Sequence, residues 1–412
     1  MLERPIPRRA PSLLGALRFR DFRLLWFGLL VSNLGTWMQF TASSYLIVKL
    51  AGSPAAGSLY VGILGGARAI PVLLFSPLAG VLADTWPRRR LLFATNIAVS
   101  LLALLLAVLT TAGWITIWGL IAISMCNAAA QAFDTPARQS WVPLLVDREY
   151  IGNAIGLNSV AFNAPSVIGP VIAGFLILIS IPVSFYVNAA ATLAVVLALI
   201  FMKPVAPSSR AREPMLVAIL GGIRFLLTHG VLRAVMVFFI LSALLARPYT
   251  LLLPAYALNY LHTDAKGLGL ALGAVGLGAF GGALVTAMFG SHENRGVFWI
   301  ASAALTALGV MMLGLIKNLL IAMPLLVIIG LAVMTFMGMT NTLIQTLSGD
   351  EVRGRAIAVY SMVALGVVPL GAFLLGGLGA VAGLHVAFIV AGALTFVVLI
   401  WIVLNNPRLR TA

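Results

Sequence analysis

Acidic side chains are scarce in this chain, and their placement matters more than their number. The 412 residues include only 11 Asp and Glu, and none lies inside a long apolar run; all sit at termini, in loops or at the ends of runs. A buried carboxylate is the usual proton carrier of membrane pumps. Any proton chemistry here must therefore use an acid near the end of a run, Asp84 or Asp134, or another route. Cysteine is scarcer still: Cys126 stands alone, which excludes intramolecular disulfides and a thiolate metal site. The four histidines (His229, His262, His292, His385) are scattered and form no ligand cluster, so neither metal nor cofactor is expected. There is no Gly-x-x-x-x-Gly-Lys-Ser/Thr loop, so the chain does not drive its own chemistry with ATP.

Apolar surface is abundant. Hydrophobic residues make up 61% and charged residues 9% of the sequence, with a mean hydropathy of +1.08, more than a soluble core of this length can bury. A bilayer core of about 30 Å takes about 20 apolar residues per helix. Twelve runs fit that length, at about 22–49, 57–83, 90–112, 114–133, 153–178 and 182–202, then 232–260, 267–290, 296–316, 319–345, 355–380 and 383–405. The only long polar linker, KPVAPSSRAREP from Lys203 to Pro214, splits them six and six. The expected architecture is an all-α membrane protein of two six-helix bundles: an N-terminal segment 1–21, bundles at 22–202 and 232–405, a linker at 203–231 and a tail at 406–412. The first run is too long for a signal-peptide core and has no small-residue cleavage site after it, so it is expected to be a retained helix.

The net charge of +15 reads as orientation rather than as a nucleic-acid surface. Of 26 Lys and Arg, 21 fall on alternate hydrophilic segments, while the intervening segments hold only Lys49, Lys266 and Lys317. By the positive-inside rule both termini face the cytoplasm. The halves also echo each other weakly, as duplicated transporter folds do. Gln139 and Gln345 each precede a charged loop, followed by Ala154-Ile155-Gly156 in one half and Ala356-Ile357-Ala358 in the other.

Two arginines interrupt the runs, Arg68 in the second and Arg247 in the seventh. A guanidinium inside a bilayer is costly unless hydrated or paired. Arg247 is expected to face a central cavity and to attract an anionic or electron-rich substrate; for Arg68, a cavity position and reach to the outer interface both stay open. Neutral polar residues recur at helical spacing: Asn33, Trp37, Thr41 and Ser44 on the first helix, Asn127 and Gln131 on the fourth, Asn341 and Gln345 on the tenth. Taken alone, each stripe reads equally as hydrogen bonding between helices.

The stretch GVLADTWPRRR, Gly80 to Arg90, sets one carboxylate and three guanidiniums between two apolar runs. It resembles the cytoplasmic signature of the major facilitator superfamily, a glycine followed four residues later by aspartate and then a basic cluster. Asn33 to Gln39, Phe133-Asp134-Thr135-Pro136-Ala137-Arg138-Gln139 with Val142-Pro143, and Leu252 to Ala257 narrow the resemblance to the enterobactin-exporter-like branch, the transmembrane secretion effectors, over about Phe19 to Ile402. Pro165 to Gly174 is similar in part to the antiporter motif of exporting facilitators, with Gly169-Pro170 at its centre and Pro165 and Ala173 standing where the motif has glycines; ordinary small-residue packing is the alternative there and the first reading of the glycines of helix eight.

The resemblance implies a secondary transporter in the bacterial inner membrane, working as a monomer by alternating access. It would export a siderophore, antibiotic or related small amphipathic molecule with protons as the coupling ion, and it would have no enzymatic activity. It makes Gly80, Asp84, Arg88, Arg89, Arg90, Asp134, Gly169 and Pro170 conformational residues. The first, fourth, seventh and tenth helices would line the cavity, so Asn33, Trp37, Thr41, Asn127, Gln131, Arg247, Tyr249, Tyr256, Asn341 and Gln345 become candidate substrate contacts. Lipid transport on the same fold, and a non-transporting scaffold or sensor, remain alternatives.

Overall fold

A computed structural model describes residues 14–202, 215–290, 292 and 295–411. The side chains at 76–77, 80–81, 83–85, 140, 215–219, 350–351, 365 and 410–411 lie outside the described set. Fourteen α-helices account for nearly all of it. The first half holds α1 (Arg20–Ala51), α2 (Pro54–Thr85), α3 (Arg88–Thr111), α4 (Ile117–Trp141), α5 (Ile151–Ile179) and α6 (Ile181–Phe201). After α7 (Met215–Thr228) come α8 (Gly230–Leu244), α9 (Tyr249–Asn259), α10 (Ala265–Phe289), α11 (Arg295–Leu313), α12 (Leu319–Leu347), α13 (Asp350–Ala382) and α14 (Leu384–Asn405).

Ten helical segments are long and apolar enough to cross a membrane, with α8 and α9 counted as one. The two that complete the set of twelve, α1 and α4, are 32 and 25 residues long. Their length suffices; Asn, Gln, Ser and Thr dilute their apolar character. With an even number of spans, the start of α1 and the end of α14 lie at one end of the molecule. At the opposite, far end the helices start cleanly. Ser53, Thr116, Asp264 and Asn318 each accept a hydrogen bond from a backbone N–H in the first turn of α2, α4, α10 and α12, satisfying donors that have no partner within a helix.

Three boundaries differ from the sequence expectation. The fourth span runs on to Trp141, carrying Asp134 and Pro136 inside the helix. Part of the linker folds as α7, whose Gly221 and Gly222 lie against Arg355 of α13. The seventh span is broken between Leu244 and Tyr249. Pro248 has no N–H to offer the Leu244 carbonyl, the acceptor one turn earlier. Gly371 of α13 nests against that break, where a Cβ would collide with the Leu244 oxygen and the Pro248 ring.

The bundles meet along two seams, α2 against α13 and α5 against α10, joined by α1 and α2 against α9. Small residues bring the backbones together. A Cβ on Gly269 would stand 2.5 Å from the Pro170 carbonyl oxygen, and one on Gly376 would stand 2.8 Å from the Gly62 Cα. These approaches lie at mid-span or toward the far end, and α4 and α12 do not pack closely across the boundary. The glycines of α10 serve two faces: Gly269, Gly273 and Gly276 meet α5, while Gly278 and Gly282 admit the backbone of α12.

Candidate functional site

A polar pocket opens in the first bundle between α1, α2, α4 and α6. Gln39, Ser43, Arg68, Asn127, Gln131 and Asn188 are among the residues lining it, and none of the lining residues comes from the second half. Two amide pairs brace its wall. Asn188 Nδ2 donates to Gln39 Oε1 at 2.6 Å, tying α6 to α1. Gln131 Nε2 donates to Asn127 Oδ1 at 2.6 Å along one face of α4. The second bundle repeats the latter device at Asn341 and Gln345, one turn apart on α12, where Gln345 again donates to the asparagine.

The first-helix stripe divides. Ser44 lines the pocket. Asn33 instead donates to the Ala161 carbonyl at 2.9 Å, binding α1 to α5, and Thr41 is fully buried with its hydroxyl turned back to the Trp37 carbonyl at 3.0 Å. Trp37 is half-buried, edge-on to Phe40 and packed on Gly169. The face of α1 turned to the pocket carries Thr36, Gln39, Phe40 and Ser43, beside the stripe that the spacing picked out.

Of the seventh-span candidates, Arg247 and Tyr256 turn into the second bundle, while Tyr249 is buried in a core that both bundles share. Arg247 is 7% exposed. Its Nη2 lies 3.2 Å from the Met337 sulfur and 3.5 Å from the Ala364 carbonyl, and its guanidinium sits 5.0 Å from the Phe239 ring centroid. Tyr249 is buried. Tyr256 is buried too, its hydroxyl shared between the carbonyls of Leu313 at 2.5 Å and Ile316 at 2.9 Å, its ring packed on Phe388 and Tyr260. The physical reason is the break at Pro248: it leaves a niche lined by sulfur, carbonyl and ring, which takes up the guanidinium.

Of the conformational candidates, Gly80 and Asp84 lie on the last turns of α2, where their surroundings fall outside the described residues. Arg88 is buried and engaged, Arg89 donates to the Ile200 carbonyl of α6 at 3.0 Å, and Arg90 is exposed. Asp134 gathers three partners: Asn96 at 2.8 Å and Thr95 at 3.3 Å from α3, and Arg138 at 3.6 Å one turn along α4. Arg138 in turn lies 4.9 Å from the Phe162 ring centroid on α5, so this cluster joins three helices of the first bundle. Gly169 packs on α1 at Leu34 and Trp37, while the neighbouring Pro170 carbonyl meets Gly269 of the other bundle.

Sequence reasoning missed Gln39, Ser43, Asn188, Asn96 and Thr95. Asn188 and Asn96 carried a readable signal, as solitary amides in apolar spans; Gln39 and Ser43 differed from the chosen stripe only by a rotation about the helix axis. Among the described residues, no group of three His, Cys, Asp or Glu is placed to hold a metal ion.

Comparison with known proteins agrees with this geometry. Solved structures with the same fold include the nucleoside transporter NupG (TM-score 0.71, 14% identity, 93% of this chain and 98% of that one) and a D-xylose-proton symporter (TM-score 0.71, 13% identity, 95% and 97%). Among curated proteins the chain is similar to the multidrug efflux pump Tap of Mycobacterium tuberculosis (strain ATCC 25618 / H37Rv), 27% identical with 94% of this chain and 93% of that one covered. It is also similar to the enterobactin exporter EntS of Citrobacter koseri, 25% identical with 90% and 86% covered. The family model for transmembrane secretion effectors matches residues 11–411. With its major facilitator fold, this chain is thus a multi-pass membrane transporter rather than an enzyme, and it belongs to the transmembrane secretion effector family.

Proposed function

We propose that this protein exports a small amphipathic organic molecule, a siderophore, antibiotic or related metabolite, from the bacterial cytoplasm by alternating access. The observation that carries the reading is the uneven closure between the bundles. Among the described residues, the close backbone approaches lie at mid-span and toward the far end, while α4 and α12, with the half-buried Gln131 and Asn341 and the exposed Gln345, do not pack closely across the boundary. Each of these amides is paired along its own helix, and its remaining donors and acceptors are expensive to hold between two apolar bundles unless water or substrate reaches them. With the termini cytoplasmic, as the Lys and Arg distribution argues, this is the state that loads from the cytoplasm. The likeness to a multidrug pump and a siderophore exporter supports the substrate class.

In this reading residues 22–202 and 232–405 of a single monomer rock as two bodies about the glycine seams, linked through 203–231, with Gly169 and Pro170 at the pivot and Gly80, Asp84 and Arg88 to Arg90 bracing the cytoplasmic end. The coupling ion is the proton, and Asp134 is the acid placed to carry it, held by Asn96, Thr95 and Arg138. Efflux from sealed vesicles under an imposed pH gradient tests this, with siderophores and drugs as cargo. Wild-type flux should rise with the gradient, and Asp134→Asn should abolish that response. Gradient-independent flux by the wild type removes proton coupling; no flux of any compound removes export.

A further inference from the structure

We infer that Arg68 and the neutral polar groups around it form an anion-binding site inside the first bundle, and that the exported molecule carries a compact oxyanion, a carboxylate or sulfonate, held there. The inference rests on the export reading and narrows its substrate.

The first observation is position. Arg68 lies about 21 Å along α2 from Pro54 and about 25 Å from Thr85 at 1.5 Å per residue, and its side chain lines the pocket instead of reaching for either end. The second is isolation. Arg68 makes no hydrogen bond, ion pair or ring contact among the described residues, whereas Arg18 pairs with Asp147 and Glu149, and Arg138 with Asp134. No acidic residue lines the pocket. A guanidinium at this depth without a counterion is disfavoured unless water or the negative charge of a ligand reaches it, and the pocket is where either would do so.

The third observation is the chemistry of the walls. Each amide pair uses a side-chain carbonyl as its acceptor: Gln39 Oε1 takes the hydrogen bond from Asn188, and Asn127 Oδ1 takes the one from Gln131. The pairing thus leaves the NH2 groups of Gln39 and Asn127 uncommitted. With the hydroxyls of Ser43 and Ser124 and the five N–H groups of Arg68, the pocket has donors in excess and no competing negative charge. The planar guanidinium can hold a carboxylate or sulfonate through two parallel hydrogen bonds. Arg247 is enclosed instead: a sulfur, a carbonyl and a ring surround its guanidinium, whose Nη1 is buried without a hydrogen-bond partner among the described residues, and no polar pocket opens beside it there.

The test uses the full chain in proteoliposomes and three fluorescent probes. 8-Anilinonaphthalene-1-sulfonate and N-phenyl-1-naphthylamine share one ring skeleton and differ by the sulfonate, and ethidium supplies a cation. The wild type should move the sulfonate faster than the neutral amine. Arg68→Gln should lower sulfonate flux about tenfold or more, the loss expected for a charge-assisted pair of hydrogen bonds, and leave the neutral amine within about twofold. Arg68→Lys should fall between Arg68→Gln and the wild type, because the charge stays while the two parallel hydrogen bonds are lost. Should Arg68→Gln fold poorly by thermal melt, Arg68→Met takes its place. Undiminished sulfonate flux in Arg68→Gln overturns the inference, as does equal loss of both probes or a wild type that moves ethidium and ignores the sulfonate. If the wild type moves none of the three, the export reading is what fails. Calorimetric titration of the sulfonate into detergent-solubilised protein then decides the site alone: affinity about tenfold weaker in Arg68→Gln sustains it, and equal affinity overturns it.

Discussion

Arg68 and Arg247 are the two cations embedded in spans, one in each bundle, and they meet opposite surroundings. In the second bundle the broken seventh span folds the arginine inward, where Met337, Ala364 and Phe239 occupy it. In the first bundle the arginine stays on a continuous helix and faces a pocket of neutral amides and hydroxyls, with no partner among the described residues. The same side chain thus serves as internal packing in one half and as an open charge in the other. The asymmetry extends to Tyr256, whose hydroxyl and ring are held by residues of the second bundle. Two bundles of one architecture have divided their labour: one packs tightly around a kinked span, and the other keeps a polar interior within reach of a ligand.

The comparison is sharpest where the bundles touch, and the largest effect is expected there. A Cβ on Gly57 would stand 3.0 Å from Asn259 Nδ2, so Gly57→Cys with Asn259→Cys, in a Cys126→Ser background, should form a disulfide that clamps the far end. Vesicle efflux should fall about twentyfold on oxidation and recover with dithiothreitol, as expected for gating that commits each transport cycle. Full activity while oxidised would mean that the bundles do not part at this seam. Next in size is Gly269→Val, which sets a branched side chain against the Pro170 carbonyl. Overpacking of this kind costs about 1–3 kcal/mol, and because it acts on one conformation it should slow efflux about tenfold while the melting temperature changes little.

Arg247→Met probes the second bundle directly. Replacing a buried ion by an apolar side chain of similar length is often near neutral for stability. Efflux of every probe should therefore stay within about threefold of wild type, in contrast to the selective loss expected at Arg68. A selective loss of anionic cargo in Arg247→Met would erase the distinction between the two arginines. The smallest effect is expected for Tyr256→Phe, which removes the hydroxyl shared by the Leu313 and Ile316 carbonyls. It should cost about 1 kcal/mol of stability, read as a small drop in melting temperature with cargo selectivity unchanged.

Much of the fold was legible because the bilayer restricts the choices. Helix lengths, the central linker and the small residues of α5 and α10 follow from needs that any spanning helix shares. The solitary arginines were legible as unusual, but their roles were not. Periodicity marks a face of a helix without saying which neighbour that face meets, so Asn33 and Thr41 were grouped with true pocket residues although one binds α5 and the other its own helix. The break at Pro248 was hidden for a related reason. A proline inside an apolar run is compatible with a bend or with a full interruption, and Gly371 of a distant helix is what accommodates the interruption.

By itself the sequence determined that this chain is a helical membrane protein with two halves, because apolar length and charge placement are local properties summed along the chain. Its motifs pointed to the family. Only the tertiary structure decided which of two embedded arginines lines a polar pocket. That choice depends on which donors, acceptors and rings surround the guanidinium, and those groups come from helices far apart in the chain.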